Sequence, residues 1–553
     1  MCQSKKKCIF AEDLTFIIII NYPMLRRIRL CLAIVFWVLI TWLLVDFTGT
    51  AHTYLGWMAK IQFMPALLAL NVGVLLFLVA LTFLFGRIYC SVICPLGVMQ
   101  DAIAWFNRKK NKYSYSPAHD FMRPIFLLLA GVALTAGFGW VAGLIFPYST
   151  YGRIVGTMVA PLYKLGNNVL AEIAEHYDSY AFYGVDVWLK SVGALVVALV
   201  TWCLIAVLAW RGGRTWCNTV CPVGTLLGMM SRHARLKVVL NADECRNCRK
   251  CERNCKAACI DLKNHEIDYS RCVVCGDCLD QCKFGAMTFG FKPMIDKENI
   301  IYAQWKKEQA AKATADTATE AKGDTVDDGR RAVLTSTALL VGATLAKAQD
   351  KTTDGGYAII EDKKKPARQH RITPPGSLSL SNLEDHCTAC QLCIDACPND
   401  VLRPSSSLRH FMQPEVSFER GYCRPECNRC SQVCPTSAIR PVTIEERTAI
   451  QVGHAVWVRE NCIAANDFKS CGNCARHCPT GAIQMVPEGE GFRQNERGRW
   501  VDRDNRPVDM SAVHVIPVVN EEKCIGCGAC ENLCPVRPYS AIYVEGHELH
   551  KEI

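Results

Sequence analysis

Apolar and polar positions divide the chain near residue 240. Before it, residues 30–45, 63–85, 124–146 and 191–210 are apolar almost without interruption. Crossing a bilayer takes about 20 residues. The last three runs reach that length, and the first, strongly apolar, falls slightly short. Four such runs in one chain point to a membrane rather than to buried helices of a soluble core. The pattern predicts a membrane α-helical domain with four spans over residues 24–240, after an N-terminal extension at 1–23.

The chain of 553 residues carries a net charge of +10, and the position of that charge decides its meaning. Lys5, Lys6, Lys7, Arg26, Arg27 and Arg29 precede the first run. Arg87, Arg108, Lys109, Lys110, Lys112 and Arg123 lie between the second and third, and Arg211, Arg214, Arg232, Arg235 and Lys237 follow the fourth. Between the first two runs stands only Lys60. Basic loops stay cytoplasmic, so the N-terminus and the segments after the second and fourth runs are expected there. Much of the excess is thus topological, and no nucleic-acid partner is expected.

Those two segments nearly repeat each other, as GRIYCSVICPLG at 86–97 and GRTWCNTVCPVG at 213–224. Cys90 and Cys94, like Cys217 and Cys221, are spaced i, i+4 and share a helical face. Two pairs related by duplication can converge as four thiolates, suited to an iron–sulfur cluster, another metal or a redox dithiol pair. The plainer alternative is that Cys-Pro and Gly only end the helix and pack there.

The chain has 33 cysteines, and most are clustered downstream. Cys245, Cys248, Cys251 and Cys255 form C-x2-C-x2-C-x3-C, and Cys272, Cys275, Cys278 and Cys282 repeat it. This is the bacterial 4Fe-4S spacing, in which the fourth cysteine serves the neighbouring cluster. Cys282 is therefore expected with the first set and Cys255 with the second, with Cys259 as an alternative ligand. A zinc ribbon needs only C-x2-C pairs. A second group begins at Cys387, Cys390, Cys393 and Cys397 with the same spacing. Cys423, Cys427, Cys430 and Cys434 widen the first gap to three residues, and Cys462, Cys471, Cys474 and Cys478 widen it to eight. Cys524, Cys527, Cys530 and Cys534 return to the standard form. Six 4Fe-4S clusters would use 24 of the cysteines and leave few for disulfides. Whether neighbouring motifs pair, or the first with the fourth and the second with the third, is open. Bacterial ferredoxin-like α+β domains are expected at 241–295, with two clusters, and at 380–545, with four.

Between these domains, residues 296–329 are polar and read as a linker. Residues 330–348 follow, with Arg330 and Arg331 ahead of an apolar run at 332–346. Twin arginines before a short apolar run mark export of folded, cofactor-loaded proteins. Such a signal would place the last domain in the periplasm.

In the order of its parts the chain resembles a fusion of two families. Residues 24–290, with four spans, the motifs at Cys90–Cys94 and Cys217–Cys221 and two 4Fe-4S motifs, resemble the NapH/NosR/CcoG-type membrane ferredoxins. Residues 330–540, with the twin arginines and the x8 gap after Cys462, resemble the MauM/NapG-type four-cluster ferredoxins. The resemblance implies an inner-membrane quinol dehydrogenase component of anaerobic respiration. It would relay electrons from membrane quinol to a separate terminal reductase or its cytochrome partner. Arg87 and Arg214 would then offset thiolate charge or steer a quinol headgroup. The alternative is an electron donor in the maturation of a respiratory metalloenzyme. No haem-attachment motif, dinucleotide fingerprint or catalytic residue set stands in the chain.

Overall fold

The computed structural model describes residues 22–107, 113–291, 353–354, 358–359 and 362–553, the last with short interruptions at 468–470, 490, 496–497 and 511–512. The extension up to residue 21, the linker at 296–329 and the twin-arginine segment at 330–348 lie outside the described residues.

The helical domain departs from four uniform spans. Helix α1 (Tyr22–Val45) begins it. The run at 63–85 is broken into α2 (Phe63–Leu68) and α3 (Val72–Phe85). Leu70 there takes a left-handed φ of 51°, and the Asn71 side chain accepts from the Val74 amide, restarting the helix. After the first repeat come α4 (Ile88–Val92) and α5 (Pro95–Phe106). The run at 124–146 is split in the same way, into α6 (Met122–Thr135) and α7 (Gly139–Ile145), at Gly137 with φ 76°. Then follow α8 (Pro147–Ile154), a π turn, α9 (Ala160–His176) and α10 (Val192–Gly212). The second repeat supplies α11 (Thr215–Thr219) and α12 (Pro222–Ser231). Among the described residues two helical segments are long and apolar enough to cross a membrane, Leu25–Val45 and Val192–Gly212. Helices α3 and α6 have 14 residues each, about 21 Å, against a hydrocarbon core of about 30 Å. Hydropathy registers the run but not the cap inside it, so of the four expected spans two are matched in length among the described residues and two by shorter apolar helices. The outer faces of these helices are apolar all the same: Leu128 is 70 % and Leu76 63 % exposed.

Two cysteine-rich units attach to this domain. In the first, β1 (Leu236–Leu240) pairs antiparallel with β2 (Met287–Phe291) around α13 (Lys250–Asn254) and α14 (Asp277–Gln281). The second contains α15 (Leu392–Asp395), α16 (Arg429–Val433), β3 (Ile450–Trp457), α17 (Asn473–Arg476), α18 (Ala529–Leu533) and β6 (Ile542–Glu552), with β4 (Ile483–Pro487) and β5 (Val515–Val519) paired between. β6 closes antiparallel on β3, Ile542 opposite Trp457.

The units sit at opposite ends of the helices. At the start of α1, Arg26 donates to Asp277 of the first unit at 3.0 Å, while the carbonyl of Phe47, just past its end, accepts from Arg429 of the second at 3.2 Å. The helix from Arg26 to Val45 separates those contacts by about 29 Å. Helix α6 runs the same way, with Arg123 on Ser270 at 2.9 Å near one end and Gly137 beside Asp385 past the other. Helix α10 runs the opposite way, starting against Phe411 of the second unit and ending against Lys256 of the first.

Candidate iron–sulfur centres

The standard motifs share a strained backbone. On either side of the second cysteine stand residues with left-handed φ: Asn247 and Arg249, Val274 and Gly276, Ala389 and Gln391, Gly526 and Gly528. Glycine adopts that conformation freely, but a β-branched Val274 at φ 52° is an outlier of the kind held in place at functional sites. Such alternation turns successive N–H groups into one concavity, the nest that binds anionic groups and many iron–sulfur centres. The third cysteine then opens a short helix, and the fourth ends it in an extended conformation, as at Cys255 and Cys282.

Six sets of four thiols converge. Burial pushes the Cys251 thiol up to about 11, and the charges of Cys245, Cys282 and Cys248 act in the same direction. Cys278 is raised by burial, then by Cys275, Cys272 and Cys255. The fourth cysteines are thus exchanged between the two motifs. Cys259 lies 3.5 Å from Cys255, sulfur to sulfur. In the second unit Cys393 is raised by burial and by Cys390, Cys387 and Cys434, and Cys430 by burial and by Cys423, Cys397 and Cys427. Cys474 is pushed to about 12 by burial, with Cys471, Cys462 and Cys534 adding to it. Cys527 is also raised to about 12, by burial and then by Cys524 and Cys478, and Cys530 by burial, Cys527 and Cys524. Neighbouring motifs therefore pair, first with second and third with fourth. Among the described residues no three His, Cys, Asp or Glu side chains close on a single metal-ion position; a four-iron core, which takes one cysteine per iron, does not require that. Cys255 and Cys272 are the exceptions, both lowered first by a hydrogen bond with Cys259, Cys255 to about 7; crowded, mostly buried thiols, those of the standard motifs in nests, fit a cationic iron core that draws them into the thiolate form.

The sets are linked. The Cys423 amide donates to the Cys527 carbonyl at 2.9 Å. Arg447, fully buried, donates to the Cys423 sulfur at 3.2 Å and also feels Cys430 and Cys527. The first set of this unit lies against the helical domain along two glycine pairs. A Cβ at Gly139 would stand 2.7 Å from the Cys387 carbonyl, and one at Gly152 2.7 Å from that of Cys390. Gly143 and Gly156 approach Thr388 and Asp395 more closely still. Spacing of four puts each pair on one helical face, where only hydrogen allows such approach. The sequence reading does not single out these glycines or Arg447, although G-x3-G at 139–143 and 152–156 was a visible signal. Trp188 completes the contact, with the guanidinium groups of Arg403 and Arg420 4.7 and 4.6 Å from its ring.

The repeats come together between the two units. Arg87 of the first repeat donates to the carbonyl of Cys217 at 3.2 Å and to Asn218 at 2.8 Å in the second. Arg214 of the second donates to the carbonyl of Cys90 at 2.6 Å in the first. Glycine is required where they pass: a Cβ at Gly97 would lie 2.5 Å from Arg214 Nη1, and at Gly224 2.8 Å from Arg87 Nη2. Cys90, Cys94, Cys217 and Cys221 are all buried. Burial raises Cys94 and Cys221, and the remaining repeat thiols add to it. Gln100 donates to the Cys217 sulfur at 3.2 Å, and the Gly224 amide to that of Cys221 at 3.3 Å. Burial alone would raise the Asp101 carboxyl, but Arg214, Lys256 and Arg29 hold it well below the usual carboxylate range. Arg87 also donates to the Ser270 carbonyl at 2.9 Å, two residues before Cys272. On the other side α5, which starts at the first repeat, packs on α8, which carries Gly152 against Cys390. Of the remaining described cysteines, Cys31 and Cys203 are exposed.

Comparison with known proteins agrees with this geometry. Residues 67–113 and 194–241, which enclose the two repeats, match a family described as a 4Fe-4S binding domain. Residues 386–438 and 461–537 each match a 4Fe-4S dicluster domain. The methylamine utilization ferredoxin-type protein MauM of Methylobacillus flagellatus is 32 % identical over 203 residues, 35 % of this chain and 76 % of that protein. The ferredoxin-type protein NapF of Escherichia coli is 30 % identical over 177 residues, 32 % of this chain and 87 % of its own length. The ferredoxin-type protein NapH of Escherichia coli is 24 % identical over 235 residues, 41 % of this chain and 69 % of its own. No solved structure matches.

Proposed function

Because the chain belongs to the ferredoxin-type 4Fe-4S proteins, alongside MauM and NapF, we propose that it is a membrane-embedded electron relay. It takes electrons from membrane quinol and delivers them through 4Fe-4S clusters to a separate terminal reductase, or its cytochrome partner, across the bilayer. The observation that carries this reading is the attachment of cysteine quartets at both ends of α1, α6 and α10, with the four repeat thiols between them.

In this reading the six quartets would hold six clusters, and the repeat thiols would hold a further iron–sulfur or metal centre. Such groups accept and release single electrons when bound. The chain's own residues keep them dry and close. Arg87 ties the repeat site to the loop of Cys272, and α5 and α8 tie it to Cys390. Packed helices lie about 8–10 Å apart, which shortens the step across a core about 30 Å thick. The basic loops face the cytoplasm in this reading, so the first unit is cytoplasmic and the second periplasmic. The chain must then change sides between Phe291 and Asp362, the interval that holds Arg330, Arg331 and the apolar run at 332–346.

Limited proteolysis of intact spheroplasts tests the sidedness: residues 387–534 should be cut from outside and protected when Arg330 and Arg331 are both changed to Lys. Purified protein should hold at least 24 iron atoms on the count of four per cube. Quinol-driven reduction of the acceptor should be lost in Cys94→Ser and in Cys221→Ser. Protection of 387–534 in the parent would move every cluster to the cytoplasm and favour the maturation role.

A further inference from the structure

Helices α1 and α3 do not close on each other where the first cysteine-rich unit meets them. Between them lies a cleft of about 360 Å³, within the range of small-molecule sites. Leu32 and Phe36 form one wall and Leu81 and Phe85 the other, and Cys275 lines its inner end. Cys275 belongs to the quartet of Cys255, Cys272 and Cys278. The rim is apolar and open sideways, with Leu32 46 % and Phe77 59 % exposed, so the cleft faces whatever surrounds the helices.

Two arginines break this apolar lining, and the outer one, Arg26, is already paired with Asp277 and Asp280. Arg29 reaches the cleft yet is only 7 % exposed. Its Nη1 is engaged with the Ser91 carbonyl at 3.4 Å and with Asp101 at 3.5 Å. Its Nε is buried with no partner. A buried donor left unmet is costly and calls for a partner, which a ligand in the cleft would supply. The ligand must be apolar enough to enter from the side, flat enough to fit between two helices, and must carry an acceptor oxygen at the depth of Arg29. A lipid acyl chain has no such oxygen, and a phospholipid, whose ester and phosphate oxygens reach this end of α1, has no flat ring to fill the space between two helices.

We propose that this cleft binds the ring and first isoprene units of a membrane quinone or quinol, with Arg29 Nε–H donating to a ring oxygen beside Cys275. The site rests on the quinol reading given above and specifies where that partner docks.

The probe is a photoreactive azido-quinone with a short isoprenoid tail, added to the full chain in lipid nanodiscs. Crosslinks should map to peptides spanning 25–36 and 77–89. Arg29→Gln should weaken binding ten- to hundredfold, and Leu81→Trp, which fills the cleft from its α3 wall, should abolish the crosslinks. Iron content and reduction by dithionite should be unchanged in both, which separates loss of the site from loss of the fold. Crosslinking elsewhere with quinol-driven reduction intact overturns this cleft and leaves the relay standing. Competition by phosphatidylglycerol as effective as by unlabelled quinone makes the cleft a lipid site and overturns it too. Absence of both crosslinking and quinol-driven reduction in the parent overturns the quinol reading itself.

Discussion

Gly97→Ala tests the crossed arginines directly. In an ordinary helix this change stabilises by up to about 1 kcal/mol, because glycine loses more backbone freedom on folding. Gly97 is not ordinarily placed. The new Cβ would lie 2.5 Å from Arg214 Nη1 and closer still to the carbonyl of Cys90. Carbon-to-oxygen contacts settle at about 3.3 Å or more, so something must move by nearly 1 Å. Both neighbours are fixed. Arg214 is fully buried, is held by Asp101 through two bonds of 2.8 Å, and donates to Cys90 at 2.6 Å. Breaking that last bond costs about 1.5–3 kcal/mol, so the net effect is a loss of about 1–2 kcal/mol. Gly131→Ala in α6 is the matched control, since its Cβ meets nothing within 4 Å and should be neutral or stabilising. Thermal denaturation of the detergent-solubilised full chain, followed by size-exclusion profile, should separate the two variants by on the order of 2–8 °C. The comparison is relative, because a chain of several units does not melt in two states. A second arm combines Gly97→Ala with Arg214→Gln; residues in one contact couple, so the added cost of alanine should shrink. If Gly97→Ala melts together with Gly131→Ala, the arginine does not cross where described.

Two further outcomes follow from single contacts. Arg447→Gln removes a positive charge and a 3.2 Å bond from the Cys423 sulfur; the oxidised, less negative cluster is then favoured, and one redox midpoint should fall by roughly 60 mV, the equivalent of 1.4 kcal/mol for one electron, with a smaller fall for the cluster of Cys527, which Arg447 also faces, and the remaining midpoints unmoved in a potentiometric titration. Cys255→Ser should keep its full iron complement because Cys259 stands 3.5 Å away, whereas changing both should lose about four iron atoms; equal loss in the single change would show that Cys259 cannot substitute.

The sequence alone determined whatever depends on neighbours along the chain. Three thiols that grip one face of a cluster must come from one tight loop, so the C-x2-C-x2-C spacing of Cys272, Cys275 and Cys278 is written locally, and so is the apolarity of α1 and α10. The broken spans were half-legible: Asn71 and Gly137 are capping residues, but a hydropathy window averages over them. Cluster pairing in the second unit was open, because the exchange of Cys434 and Cys397 is decided by how two loops fold on each other. The tertiary structure alone decided that Arg87 reaches Cys217 and Arg214 reaches Cys90, across 130 and 124 residues, and that the two cysteine-rich units occupy opposite ends of the helices. Contacts of that sequence separation leave no periodicity for a window to detect; they exist because α5 and α12, each begun by its own Cys-Pro, are packed into one core.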